Sequence, residues 1–154
     1  MKKITCYIKA RHKGSKRVPQ KMLRPFADSC LLEIALDNVL KCKNLDRDKI
    51  FLGSAEKEIT KVGKKLGINI HHRSKEEIKE YPGSGETPDW AIENLKKGVY
   101  HKFVYDIDTE YFITINPCNP LLSYETIDRA IDFFQNNDVK SLFGVVKRPN
   151  FFLI

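Results

Sequence analysis

Three observations predict an α/β fold for this 154-residue chain, a mostly parallel sheet with helices on both faces. Short β-rich apolar runs alternate with stretches whose apolar residues recur at helical spacing. The segments between successive runs are long enough for the crossovers that parallel strands need. Positive charge gathers behind the first run: residues 1–27 hold nine basic and no acidic side chains, while the remainder holds 18 basic against 20 acidic. The whole chain sums to +7.

Residues 4–9 (ITCYIK) form the first predicted strand. Leu32, Ala35, Leu36, Val39 and Leu40 repeat at helical spacing and mark the first helix. Residues 49–53 (KIFLG) read as a short buried strand. Ile59, Val62 and Leu66 make the apolar face of a second helix, which Gly67 ends. Residues 68–71 are a third strand, and 89–97 a helix with Trp90 turned inward. Residues 111–115 (YFITI) are the next strand. Ser123 caps a helix whose apolar face is Ile127, Ala130, Ile131 and Phe134. Residues 141–146 are the last strand, and Phe133, Phe134 and Phe143 are expected in the core.

Ligands of such sheets bind beyond the carboxyl ends of the strands. The segments following strand ends are 10–21, 54–56, 72–87 and 116–123, which are expected to line one crevice. Residues 81–88 (YPGSGETP) read as a flexible lid.

Length and composition predict one globular domain. No run approaches the ~20 apolar residues of a membrane span, and the basic N-terminus lacks the apolar core of a signal peptide. Cys6, Cys30, Cys42 and Cys118 form no CxxC pair, so reduced thiols and a cytoplasmic location are expected. The sequence ends on Phe151-Phe152-Leu153-Ile154. Either that apolar tail is buried, or the natural chain continues.

The segment 10–21 reads ARHKGSKRVPQK. Gly14 and Ser15 permit a tight turn with exposed amides, and Arg11 and Lys21 bracket it. Several cations and amides on one loop suit a polyphosphate. Neither GxxxxGK(S/T) nor GxGxxG is present. A solvated basic loop is the competing reading. Nucleic-acid binding is disfavoured, since only Tyr7 and Phe26 flank the cations and no aromatic interleaves with them. Asp106 and Asp108 have the spacing of a metal pair but precede their strand, so they read as a solvated turn. His71 and His72 have no partners at metal-ligand spacing and read as strand-end residues.

The string KARHKGSKRVPQKMLRPF resembles the signature of the N-acylneuraminate cytidylyltransferases, approximately A-R-G-G-S-K-R-(I/V)-P-x-K-N. Ala10, Arg11, Gly14, Ser15, Lys16, Arg17, Val18, Pro19 and Lys21 match it. Further resemblances follow in order: residues 31–35 to the helix after the signature, Gly53-Ser54-Ala55-Glu56 to an S-T-D-x-E turn, and His72-Arg73 to H-R-P. Thr87-Pro88-Asp89 lies where the family has a polar helix start, and residues 116–121 (NPCNPL) resemble Q-P-T-S-P-L.

The resemblance implies a Rossmann-like nucleotidyltransferase that transfers a cytidylyl group from CTP to a sialic-acid-like 2-keto sugar acid. Arg11 and Lys21 are then the catalytic candidates, with Lys21 nearest the reacting phosphoryl group. Ala10, Arg11, Gly14, Ser15, Lys21, Arg73, Gly85 and Thr87 are nucleotide-binding candidates, and Asn116 faces the sugar. As alternatives, Arg73 caps its strand or pairs with Glu76 or Glu77, and Asn116 satisfies its own Pro-rich turn. Mg²⁺ is implied as cofactor, although its ligands are not assignable to residues of this sequence. A homodimer is implied for the full-length protein, with the C-terminal part of the family domain lying beyond residue 154. Two departures stand out. Met22 replaces the asparagine after the signature lysine, and Leu122 replaces an arginine. Another sugar or sugar-alcohol phosphate as acceptor, or a catalytically silent nucleotide-binding homologue, are the alternatives these departures leave open.

Overall fold

The computed structural model describes residues 2–13, 18–73 and 109–144. Its centre is β1 (Ile4–Lys9), whose four inner residues are all buried, as befits a parallel strand covered on both sides. β1 pairs in parallel with β4 (Ile50–Ser54) on one side and β6 (Tyr111–Ile115) on the other. β5 (Asn69–His72) pairs in parallel with β4, giving the order β5-β4-β1-β6. The predicted parallel sheet of an α/β fold is therefore the observed one.

Register assigns the faces. Ile8 stands opposite both Leu52 and Ile115, and Leu52 opposite Ile70. Helix α2 (Lys57–Lys65) lies against this face, with Gly63 close to the Leu52 and Ile70 side chains. Helix α3 (Tyr124–Asn136) lies on the same face, where Phe134 meets Tyr111 edge-on at 4.9 Å. Helix α1 (Leu31–Lys41) packs beside α3, and the amides of Lys43 and Asn44 after it donate to the Asp128 carboxylate at 3.0 Å. The three described helices thus share one face. They bury Leu32, Leu36, Val39, Ile59, Ile127 and Ile131 with the strand residues in one core.

The helix ends follow their residues. Gly67 adopts φ +69°, the left-handed conformation that costs glycine least. The Gly67 amide then reaches Lys64 O and the Ile68 amide reaches Gly63 O, the paired bonds of a Schellman end. Ser123 caps α3 as predicted, its Oγ accepting from the Thr126 amide at 3.4 Å.

Some expectations are corrected. Residues 141–144 are not strand, and Phe143 is 81% exposed. Phe133 faces solvent at 51%, and of the three phenylalanines only Phe134 joins the core. The helical period explains this, since Phe134 follows Ile127 and Ile131 on the inner stripe and Phe133 falls one position off it. An unpredicted hairpin joins β2 (Pro25–Phe26) to β3 (Ser29–Cys30) through Ala27, at φ +52°. The expected helix at 89–97, the lid at 81–88, and Asp106, Asp108 and residues 145–154 lie outside the described residues.

Candidate functional site

The strand order creates the site. From β1 the chain adds β4 and then β5 on one side, and β6 pairs with β1 on the other. The order reverses between β1 and β6. The carboxyl edge at such a reversal is where open α/β sheets place their ligand crevice. The basic segment after β1 and the NPCNPL segment after β6 flank it. The segments after β4 and β5 lie on its β1 side.

Ala10 leaves β1 buried, its amide donating to Gly53 O at 3.2 Å. Arg11 follows, exposed, with no hydrogen bond or ion pair among the described residues. Lys21 is half-buried in the turn 19–23, where Gln20 takes φ +54° and its carbonyl accepts from the Leu23 and Arg24 amides. Gly14 and Ser15 lie outside the described residues, as do Gly85 and Thr87.

Two residues at the end of β4 organise this edge. Ser54 is almost fully buried. Its Oγ accepts from the Glu56 amide at 3.2 Å, and its carbonyl accepts from the Arg73 amide at 3.2 Å. Arg73 is thereby fixed where β5 ends. The Glu56 carboxylate reaches from the start of α2 to the basic segment: Oε1 accepts from the Lys13 amide at 2.7 Å, and Oε2 accepts from the His12 amide. Spacing along the chain gave no sign of this contact, since 44 and 43 residues separate the partners. One local signal was present. Glutamate is an unusual N-cap, and here its side chain makes no hydrogen bond to its own helix.

Asn116 is exposed at the end of β6, and its Oδ1 accepts from the Cys118 amide at 3.0 Å. The turn expected as the alternative role is therefore present, with the carbonyl half of the side chain inside it and the amide half left as donor. Of the two departures from the signature, Met22 points inward. Met22 is 2% exposed within the core, and its carbonyl accepts from the Leu32 amide. Leu122 packs against the core. The Met22 side chain is therefore not a failed ligand, while half-buried Leu122 lines the cavity along β6 and α3.

A cavity of about 850 Å³ runs along β6 and α3 to residues 140–144. Asn116 and Asn119 stand at its crevice end, and the rest is mainly apolar, with Ile113, Ile131 and Phe134 in its wall. Among the described residues, no group of three His, Cys, Asp or Glu side chains is placed to hold a metal ion. No helix of the described residues is long and apolar enough to cross a membrane.

Comparison with known proteins agrees with this fold. A family model described as cytidylyltransferase matches residues 5–81. An uncharacterized protein of Methanocaldococcus jannaschii is 31% identical over 139 residues, 88% of this chain and 49% of its own length. A pseudaminic acid cytidylyltransferase of Campylobacter jejuni is 29% identical over 146 residues, 94% of this chain and 59% of its own. The chain thus spans about half to three-fifths of the curated relatives it matches. Among solved structures, a CMP:2-keto-3-deoxy-manno-octonic acid synthetase complexed with CTP superposes with TM-score 0.62 at 12% identity, covering 88% of this chain and 48% of that one. A cytidylyltransferase from Leptospira borgpetersenii gives TM-score 0.58 at 22% identity, covering 90% and 51%. These likenesses show the α/β nucleotidyltransferase fold, and with half of its residues under the matching family model, the chain belongs to the cytidylyltransferase family.

Proposed function

We propose that this chain carries the nucleotide-binding half of an enzyme that transfers a cytidylyl group from CTP to a sialic-acid-like 2-keto sugar acid. The observation that carries the reading is the basic segment at the β1/β6 crevice, where Arg11 stands exposed and Lys21 follows in a tight turn. A triphosphate carries about four negative charges, and transfer from it is mostly a matter of positioning and charge neutralisation. The acceptor hydroxyl oxygen bonds to the α-phosphorus as the bond to the bridging oxygen breaks. Pyrophosphate leaves with the electron pair, and the hydroxyl proton passes to solvent. Arg11 and Lys21 hold the triphosphate, Arg73 contacts the cytosine, and the Asn116 amide meets the sugar. The pseudaminic acid cytidylyltransferases among the relatives support a nonulosonic acceptor.

The test is pyrophosphate release with Mg²⁺ and each of the four nucleoside triphosphates, against a panel of nonulosonic acids, octulosonic acids and sugar-alcohol phosphates. Release with CTP and a sugar acid supports the reading. Release only with a sugar-alcohol phosphate overturns the acceptor assignment. CTP binding without release with any acceptor overturns catalysis by this chain.

A further inference from the structure

We propose that Glu56 is a positioning residue for nucleotide binding: its carboxylate clamps the chain leaving β1 so that Arg11 is held at the mouth of the crevice. The inference rests on the cytidyl-transfer reading for its ligand, and on the geometry of β1, β4 and α2 for the clamp itself.

Arg11 is fixed on both sides. Before it, the Ala10 amide is held by Gly53 O of β4. After it, the His12 and Lys13 amides are both held by Glu56. Two adjacent amides on one carboxylate form a bidentate, charge-assisted contact, stronger than bonds between neutral groups. Glu56 is itself held, because its amide donates to the buried Ser54 Oγ and its carbonyl accepts from the Thr60 amide in the first turn of α2. The clamp therefore connects Arg11 to the rigid end of a sheet strand. Glu56 makes no side-chain bond to its own helix, so bridging to the basic segment is the bonding role the structure gives its carboxylate.

The proposal opposes simple electrostatics, which makes it decidable. Glu56 places a negative charge beside a cationic segment, so removing that charge strengthens a phosphate site if charge alone matters. If the clamp matters, removal lowers the population of the binding-competent arrangement, and apparent affinity falls by the same fraction.

The experiment compares wild type, Glu56→Gln, Glu56→Ala and Lys21→Ala in KM for CTP, kcat and CTP binding, with amide hydrogen exchange at residues 11–13. Glu56→Gln keeps the shape of the side chain but has one acceptor oxygen. The expected result is a KM for CTP raised at least tenfold with kcat within about threefold of wild type. Exchange at His12 and Lys13 speeds up at least tenfold while β1 stays protected. Glu56→Ala is expected to show the same pattern, more strongly. Unchanged or tighter CTP binding in Glu56→Gln, with Lys21→Ala impaired, overturns the clamp and leaves the phosphate-binding reading standing. A wild-type chain that binds no CTP overturns both. A comparable fall in kcat and thermal stability, without selective exchange at His12 and Lys13, assigns Glu56 a purely structural role and overturns the proposal.

Discussion

Gly53→Ala tests how the carboxyl edge of the sheet is packed. Tyr7 of β1 crosses over Gly53 of β4, and its Oη lies 2.8 Å from His71 Nδ1 on β5. A Cβ at residue 53 would sit 1.9 Å from Tyr7 Oη and 2.4 Å from Cζ, far inside contact distance. The ring is 7% exposed, so it has no open space to swing into at no cost. Overpacking of this kind costs about 1–3 kcal/mol, and losing the bond to His71 adds about 1 kcal/mol. The expected sum is about 2–4 kcal/mol. At ~2–4 °C per kcal/mol for a chain of this size, the midpoint falls by roughly 4–16 °C. The assay is thermal unfolding followed by circular dichroism, with urea unfolding alongside it. Gly53→Ala combined with Tyr7→Leu removes the ring, so the pair should lose less stability than the two single changes added together. Tyr7→Phe keeps the ring and loses the bond to His71. A Gly53→Ala midpoint within about 2 °C of wild type would refute the crossing.

Lys21→Ala is expected to weaken CTP binding or turnover at least tenfold, ~1.4 kcal/mol, as read by initial rates of pyrophosphate release. Native thiol labelling followed by mass spectrometry is expected to modify exposed Cys118 well before buried Cys6, Cys30 and Cys42. Burial first, and then the Asp128 and Glu125 charges, push the Cys42 thiol up to about 12 from its ordinary 9.0. Cys6 is also shifted upward, chiefly by burial. Stability from these neutral thiols is full below about pH 9 and is lost as pH rises toward 12. Cys42→Ala should therefore flatten the alkaline fall in unfolding midpoint. Met22→Asn, which restores the signature residue, is expected to bury an unpaired amide at about 1–3 kcal/mol. Its midpoint should drop with no gain in CTP affinity.

The fold was legible where the hydrophobic pattern is local. β1, β6 and the three helices follow from apolar spacing, a capping serine and a terminal glycine, all within a few residues of one another. The β2–β3 hairpin was not legible, because Phe26-Ala27-Asp28-Ser29 lacks the Asn-Gly or Asp-Gly signal of a two-residue turn. Its turn instead depends on Ala27 at positive φ. Residues 141–144 misled because an apolar run has the same appearance whether a sheet accepts it or leaves it at the surface. Phe143 is left at the surface.

The site divides along the same line. Arg11 and Lys21 were legible because charge density and the turn residues between them lie in one short segment. What holds that segment comes from β4 and the start of α2, more than forty residues away, and no spacing rule reaches so far. Met22 shows the converse error. Aligned with the signature it reads as a lost nucleotide ligand, yet its side chain is in the core and its carbonyl holds the start of α1. A thioether belongs there, filling an irregular apolar gap. A departure from a family signature can therefore record local packing instead of altered chemistry. Here the preceding signature lysine, Lys21, is intact, and the carboxylate that secures the start of the basic segment lies on a different element.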